Sequence, residues 1–198
     1  MSDEISVAAA RPLRRDAQAR RDALIEAARL CFARAGYFVP LEDIADAAGV
    51  GRGTFYRNFK DRMALALAVF EQEIERMRAR LDPALPLDQA LAQVVLEGAD
   101  AATLFARLAL DMPRDGADRA AFDGLRRRLE RLFEPIATRA HGDGSLALEL
   151  GARDLVLAMR MLSGLLLKHN SAAERRGQID DALRLLLAGL RPRSGSKG

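Results

Sequence analysis

The sequence is poor in the residues that support covalent or metal chemistry. Its 198 residues include one cysteine, Cys31, two histidines and no tryptophan. A lone cysteine cannot form a disulfide within the chain, and neither His141 nor His169 has a second ligand at metal-binding spacing. Paired catalytic acids and bases, nucleophile elbows and phosphate-binding loops are also missing. The sequence therefore predicts no metal, no cofactor and no enzymatic activity.

Long apolar runs are missing as well. No stretch approaches the roughly 20 apolar residues that cross a bilayer, and arginines interrupt the N-terminal region where a signal peptide would need an apolar core. We therefore expect a soluble, cytoplasmic protein. The abundant residues are alanine and leucine, which favour helix, so we expect an all-α fold. Cys31 falls on an apolar helical stripe, where a small hydrophobic residue is the ordinary role.

Helical periodicity divides the chain into four parts. Residues 1–15 are predicted to be a disordered basic arm, because no apolar residue there repeats at a helical period. Residues 16–62 form a head of three short helices, and residues 63–190 form a helical body. The last part, 191–198, is predicted to be a disordered tail. Asp61 is placed to N-cap the long helix that begins the body and runs to Arg80. Further body helices are expected at 88–99, 101–111, 117–140, 147–169 and 175–190.

The head contains the pattern of a helix-turn-helix. Gly36 is expected to end the first helix in a left-handed conformation, and Pro40 suits the first turn of the second. Gly49 then supplies the positive φ that the turn into a third helix at 52–59 requires. Two short helices joined at a glycine are typical of DNA-binding heads.

The third helix is predicted to be the DNA-reading element. At about 100° per residue, Phe55 and Phe59 share the buried face, which leaves the opposite face to solvent. Arg52 can contact guanine through two hydrogen bonds, and Gly53 lets the backbone approach the groove closely. The residues expected to contact phosphates are Thr54, Tyr56 and, at the start of the long helix, Arg62.

The same segment resembles the tetracycline-repressor-like (TetR) family. The family pattern IAxxAGVSxGTxYxHFxxKxxL corresponds here to IADAAGVGRGTFYRNFKDRMAL, and the resemblance covers residues 20–70. It implies an N-terminal helix-turn-helix head joined by a long helix to a C-terminal bundle for dimerisation and ligand binding. The resemblance also implies base reading near Arg52 and Gly53. The backbone contacts that it implies come from Thr54, Tyr56, Arg57, Lys60 and Arg62.

Four positions depart from the family pattern. The serine that opens the recognition helix is Gly51, the histidine two residues after the tyrosine is Asn58, and the later lysine is Arg62. Val39-Pro40 stands where a threonine or serine begins the second helix. Glycine is only slightly worse than serine as an N-cap, so we expect DNA binding to be retained.

The body has residues suited to a ligand pocket, although the same spacing is typical of a bundle core. Arg107 or Arg160 could hold an anion, but Arg107 has Asp111 four residues later as an ordinary partner. The aliphatic composition favours an apolar ligand. The basic run Arg126–Arg128 is predicted to be a solvated helix face. The candidate ligand contacts are Phe105, Met112, Phe122, Phe133, Met159 and Met161.

Two functions remain open after the enzyme class is excluded. The first is a repressor that a small-molecule effector releases from double-stranded DNA. The second is a dimeric regulator without an effector, which a body lacking a cavity of a few hundred Å³ would favour. In both cases a recognition helix of two turns reaches few base pairs, so we expect a homodimer on a palindromic operator.

The last two long helices are predicted to form the dimer interface, because 147–169 is apolar almost all round. Small residues in it permit close approach, and the final helix adds an apolar face. The residues assigned to the interface are Ala158, Ser163, Gly164, Ile179, Leu183, Leu186, Leu187 and Leu190.

Overall fold

The structure is a computed structural model, which describes residues 4–163 and 172–190. All the regular secondary structure in these ranges is helical, as predicted. None of the described helices is long and apolar enough to cross a lipid bilayer. The helices are α1 (Glu4–Ala35), α2 (Leu41–Ala47), α3 (Arg52–Asn58), α4 (Arg62–Arg80), α5 (Leu87–Glu97), α6 (Ala99–Asp111), α7 (Ala117–Gly142), α8 (Ala152–Ser163) and α9 (Ala172–Leu190).

The chain consists of two compact units, and the boundary between them lies inside α4. The first ends at Val69 and the second begins at Phe70. The core of the first unit is formed by side chains at helical spacing, including the fully buried Leu24 of α1 and Ile44 of α2. Gly36 ends α1 with φ of +82°, and its amide nitrogen lies 2.9 Å from the Phe32 carbonyl oxygen. The predicted C-cap is therefore confirmed.

The start of α1 differs from the sequence prediction. The helix begins at Glu4, whereas residues 1–15 were expected to be a disordered arm. Ala8–Ala10 and the neighbouring arginines have high intrinsic helix propensity. An apolar repeat appears only where a helix buries one face, and residues 15–20 are exposed. The periodicity criterion therefore overlooks this part of α1. The predicted disordered tail, 191–198, lies outside the described residues.

The second unit is a bundle in which α8 packs against α5, α6, α7 and α9. Its fully buried side chains include Leu91, Leu129, Phe133 and Leu155. The helix α8 begins at Ala152, five residues later than predicted. Leu146 and Ala147 before it are buried without being helical, and the amide of Ala147 donates to the Leu190 carbonyl at 2.8 Å.

The small residues of α8 were assigned to the wrong surface. Ala158 and Ser163 are buried within the second unit, and the Ser163 hydroxyl donates to the Met159 carbonyl at 2.8 Å. Ile179 and Leu183 of α9 are buried too. They therefore serve the core of a single chain. Gly164 and the predicted continuation of this helix to residue 169 lie outside the described residues.

Candidate nucleic-acid interface

The turn between α2 and α3 depends on Gly49. Its φ is +65°, a value that residues with a Cβ rarely adopt. The Gly49 amide donates to the Asp46 carbonyl at 3.0 Å, and the Val50 amide donates to the Ala45 carbonyl at 3.0 Å. These bonds close the turn immediately before α3, so the predicted role of Gly49 is confirmed.

Two phenylalanines anchor α3 to the first unit. Phe55 is 1% exposed and Phe59 is 2% exposed, and their ring centroids lie 6.2 Å apart. This confirms the predicted buried face of the helix. The opposite face, with Arg52, Gly53 and Arg57, is exposed.

The exposed face of α3 carries two arginines and two hydroxyls. The Arg52 guanidinium lies 5.7 Å from the centroid of the Tyr56 ring, and its Nη2 is 3.6 Å from Glu42 Oε1. Because the Arg52 and Glu42 side chains are 72% and 54% exposed, this ion pair is weak and DNA can displace it at little cost. Arg57 Nη2 donates to Thr54 Oγ1 at 3.0 Å. The arrangement offers donors to a groove and to the phosphates beside it.

Gly53 is not explained by packing within the chain. A Cβ built at this residue meets no atom within 4 Å, and the backbone is not left-handed. A helical glycine costs about 0.5–1 kcal/mol of stability relative to alanine. The open space above Gly53 is therefore consistent with close approach of a partner molecule to the α3 backbone.

The beginning of α4 combines a cap with a contact to a loop. Asp61 Oδ1 accepts a hydrogen bond from the Ala64 amide at 2.8 Å, which confirms the predicted N-cap. Arg62 Nη1 donates to the Tyr37 carbonyl at 2.7 Å and also to the Val39 carbonyl. Arg62, predicted to contact phosphate, thus holds the loop between α1 and α2. Among the described residues, its Nε and Nη2 have no hydrogen-bond partner and stay available.

Lys60 lies between α3 and α4 and is well exposed. Its Nζ is 3.7 Å from Asp61 Oδ2, and the lysine side chain is 60% exposed. The predicted DNA-contacting residues thus lie in α3, in the connection that follows it and at the first residue of α4.

Arg21 is a residue that sequence reasoning missed. Its Nη1 donates to the Asn58 carbonyl at 3.1 Å, and its guanidinium carbon lies 4.3 Å from the centroid of the Phe59 ring. Asn58 is the last residue of α3, where helical carbonyls lack partners inside the helix and a positive charge is favourable. Arg21 therefore fixes the end of α3 on α1. No local sequence signal marks a pair 37 residues apart.

The candidate ligand residues of the second unit separate into two groups. Phe105 and Met159 line a hollow of about 350 Å³, its open mouth included. Phe122 stacks on Phe105 at a centroid distance of 5.0 Å and lies outside that lining. Phe133 and Met112 are buried core residues. Met161, in contrast, is an exposed surface residue.

Charged side chains around this region are mostly paired. Arg107 Nε lies 3.3 Å from Asp111 Oδ2, as expected from their spacing. Arg128, in the run predicted to be a solvated face, instead donates from α7 to Glu71 and Glu75 of α4, each at 2.5 Å. These hydrogen bonds raise the pKa of Arg128, and the one from Arg128 contributes most to lowering the pKa of Glu75.

The head of the chain is similar in sequence to a known protein family. Residues 24–69 match the model of the family described as bacterial regulatory proteins, tetR family. The HTH-type transcriptional repressor Rv1474c of Mycobacterium tuberculosis is 37% identical over 62 residues, which cover 31% of this chain and 33% of that protein. The chain thus spans about a third of the length of that relative.

The fold is shared over a much larger part of the chain. A crystal structure described as a putative transcriptional regulator from Rhodococcus sp. RHA1 has a TM-score of 0.71 at 21% identity, covering 88% of this chain and 97% of that one. The TetR transcription regulatory protein from Mycobacterium vanbaalenii has a TM-score of 0.59 at 26% identity, covering 91% and 100%. These proteins are regulators, in agreement with the prediction that the chain is not an enzyme. Residues 24–69 of the chain therefore match the tetR family of bacterial regulatory proteins, and the chain as a whole has the fold of solved transcriptional regulators.

Proposed function

We propose that the chain is a cytoplasmic repressor that binds a palindromic operator as a homodimer and leaves it when a small molecule occupies the second unit. The observation that carries the DNA-binding part is Gly53, exposed on α3 with open space where a Cβ would be. It is flanked by the exposed donors of Arg52 and Arg57. A glycine on the outer face lowers the stability of the helix, but it lets the helix backbone lie close to the floor of a DNA groove.

The residues of the head divide into two roles under this proposal. Arg52 reads a guanine edge, and Gly53 permits the approach. Thr54, Tyr56 and Arg57 contact phosphates from α3. Lys60 and the remaining donors of Arg62 contact phosphates next to it.

The dimer is supported by apolar side chains that the single chain leaves exposed. Leu157 and Met161 lie four residues apart on α8 and are 51% and 60% exposed, and Leu185 of α9 is exposed as well. Side chains at this spacing share one helix face. We assign the interface to this face of α8 and α9, in place of the buried small residues.

The hollow beside Phe105 is the site that the effector part of the proposal uses. The figure of about 350 Å³ includes the open mouth, and the enclosed part has room for little more than water, well below the range of about 300–1,000 Å³ that small-molecule sites occupy, so the surrounding side chains must move apart to bury an effector. Its lining includes Phe70 and Ile74 of α4, the helix that contains the boundary between the two units. A ligand that prefers one position of α4 would change the separation of the two heads in a dimer.

The operator experiment begins with selection of bound fragments from the source genome. Binding is then measured to the selected operator, to one half-site and to an operator whose spacer is changed by five base pairs. Half-sites should lie about 34–36 Å apart or somewhat farther, so the half-turn shift should abolish tight binding. The half-site alone should bind close to the non-specific level. Equal binding to all three duplexes would refute the proposal that a homodimer binds both half-sites at once.

Matched arginine variants test the assigned roles on the same operator. Arg52→Ala should cost about 1–3 kcal/mol at one base pair of each half-site, whereas Arg62→Ala should weaken all duplexes alike. The three cations that each head places on phosphates are Arg57, Lys60 and Arg62. They predict a slope of about −5 when the logarithm of the binding constant is plotted against the logarithm of the salt concentration. A uniform loss for Arg52→Ala with changed base preference for Arg62→Ala would reverse the assignment.

A further inference from the structure

Arg160 is a charged residue that lines the hollow beside Phe105. Its guanidinium carbon lies 5.3 Å from the centroid of the Phe105 ring, so the cation is held over one aromatic wall. Among the side chains that the structure describes, none of the carboxylates lies within salt-bridge distance of it. The residue is exposed, so its donors reach both solvent and the mouth of the hollow. A guanidinium in this position can take a planar anion with two parallel hydrogen bonds.

The other charges around the hollow are paired with one another. Glu73 of this hollow has its Oε1 2.7 Å from Arg76 Nη1. Arg76 lines an adjoining hollow of about 370 Å³, its open mouth included, and Glu73 belongs to both linings. Arg80 and Glu97, at 3.7 Å, belong to that second hollow. Among the described side chains, the two adjoining linings contain three arginines and two glutamates, and both glutamates already face an arginine. The surplus positive charge is that of Arg160, which disfavours a cationic ligand and favours an anionic one.

The remaining wall of the Arg160 hollow is apolar. Ile74 of α4, Leu129 of α7 and Met159 of α8 line it together with Phe105. An apolar body can be buried against these side chains, and methionine adapts readily to ligand shape. The enclosed space has room for little more than water, so these side chains must move apart to bury even a compact body.

We propose that the effector is a compact organic acid, with its carboxylate on Arg160 and its hydrocarbon part against Phe105 and Met159. This proposal rests on the proposed function, because it takes the hollow to be the effector site. It is narrower than that function, since it requires one negative charge on the ligand.

The test uses probes that differ only in the charge of the head group. Binding of octanoate, 3-phenylpropionate, 1-octanol and octylamine to the purified full-length protein is measured by calorimetry, and operator release is followed by fluorescence anisotropy. At least one acid should bind and release the operator. Octanol should bind about tenfold or more weakly than octanoate, and octylamine should not bind. Failure of both acids, or equal binding of octanol and octanoate, overturns the proposal.

Two variants of α8 make the test specific to Arg160. Arg160→Gln should weaken acid binding by about tenfold to a hundredfold, while Arg153→Gln, which removes an exposed arginine outside the lining, should leave it unchanged. Thermal melts check that both variants fold. If wild type binds the operator but neither acid binds, only the ligand proposal fails. If no operator can be selected, the proposed function fails, whatever the acids do.

Discussion

Replacing Arg21 should loosen the end of the recognition helix without touching its DNA-facing surface. Arg21→Ala removes the hydrogen bond to the Asn58 carbonyl and the contact with the Phe59 ring. A hydrogen bond to a charged donor contributes about 1.5–3 kcal/mol when buried, and an exposed cation–π contact contributes about 0.5–1 kcal/mol. Arg21 is partly buried and water can replace it at the carbonyl, so the expected loss is about 1–2 kcal/mol.

The loss should appear as faster amide exchange in α3. Hydrogen–deuterium exchange reports local opening, and a loss of about 1–2 kcal/mol should reduce the protection of α3 amides about fivefold to thirtyfold. Arg20→Ala is the matched control, because it removes the same charge from the preceding residue of α1, whose side chain is exposed. Operator affinity should fall for Arg21→Ala, because a helix that samples open states binds in proportion to its ordered fraction.

A double-mutant cycle with Phe59→Leu separates the two contacts of Arg21. The coupling between the two substitutions should be about 0.5–1 kcal/mol, and the remainder belongs to the bond with the Asn58 carbonyl. If Arg21→Ala and Arg20→Ala leave equal protection in α3, the capping role assigned to Arg21 is refuted.

Three further predictions concern the turn, the second unit and the dimer. Gly49→Ala should lower the melting temperature because φ is +65°, whereas Gly53→Ala should leave it unchanged or raise it while weakening operator binding; equal effects of both changes would contradict the reasoning. Because Arg128 lowers the pKa of Glu75 in the folded protein, the unfolded chain binds more protons in acid, and this contribution to stability should be lost as pH falls below about 4.5. Arg128→Gln should therefore reduce the fall of the melting temperature between neutral and acidic pH. Arg131→Gln, the control on the same helix, should leave that fall unchanged. Met161→Glu should produce monomers in light scattering, and an unchanged dimer would place the interface elsewhere.

Local signals made the head predictable from the sequence. The positive φ at Gly36 and Gly49, the buried spacing of Phe55 and Phe59 and the cap at Asp61 each depend on residues within one or two helical turns. Such signals can be read without knowing the tertiary structure.

The contacts that were missed join residues far apart in the chain. Arg21, Arg62 and Arg128 each bridge elements separated by more than 20 residues, and an arginine looks the same in the sequence whether it is paired or solvated. The error at α8 has another cause. The prediction took the segment as apolar almost all round, although the exposed Arg153, Leu157 and Arg160 share one face of α8 and leave Ala158 on the buried side.

The anchoring of α3 from behind has a consequence for how new DNA specificities arise. Phe55, Phe59 and Arg21 hold the helix by its inner face and its end, whereas Arg52, Gly53 and Arg57 are exposed. Substitutions at the outer positions should therefore change the preferred operator with little change in folding, since exposed residues away from caps and turns shift stability by no more than about 0.5 kcal/mol. The head is thus a scaffold on which duplicated copies of the gene can acquire different targets in single steps.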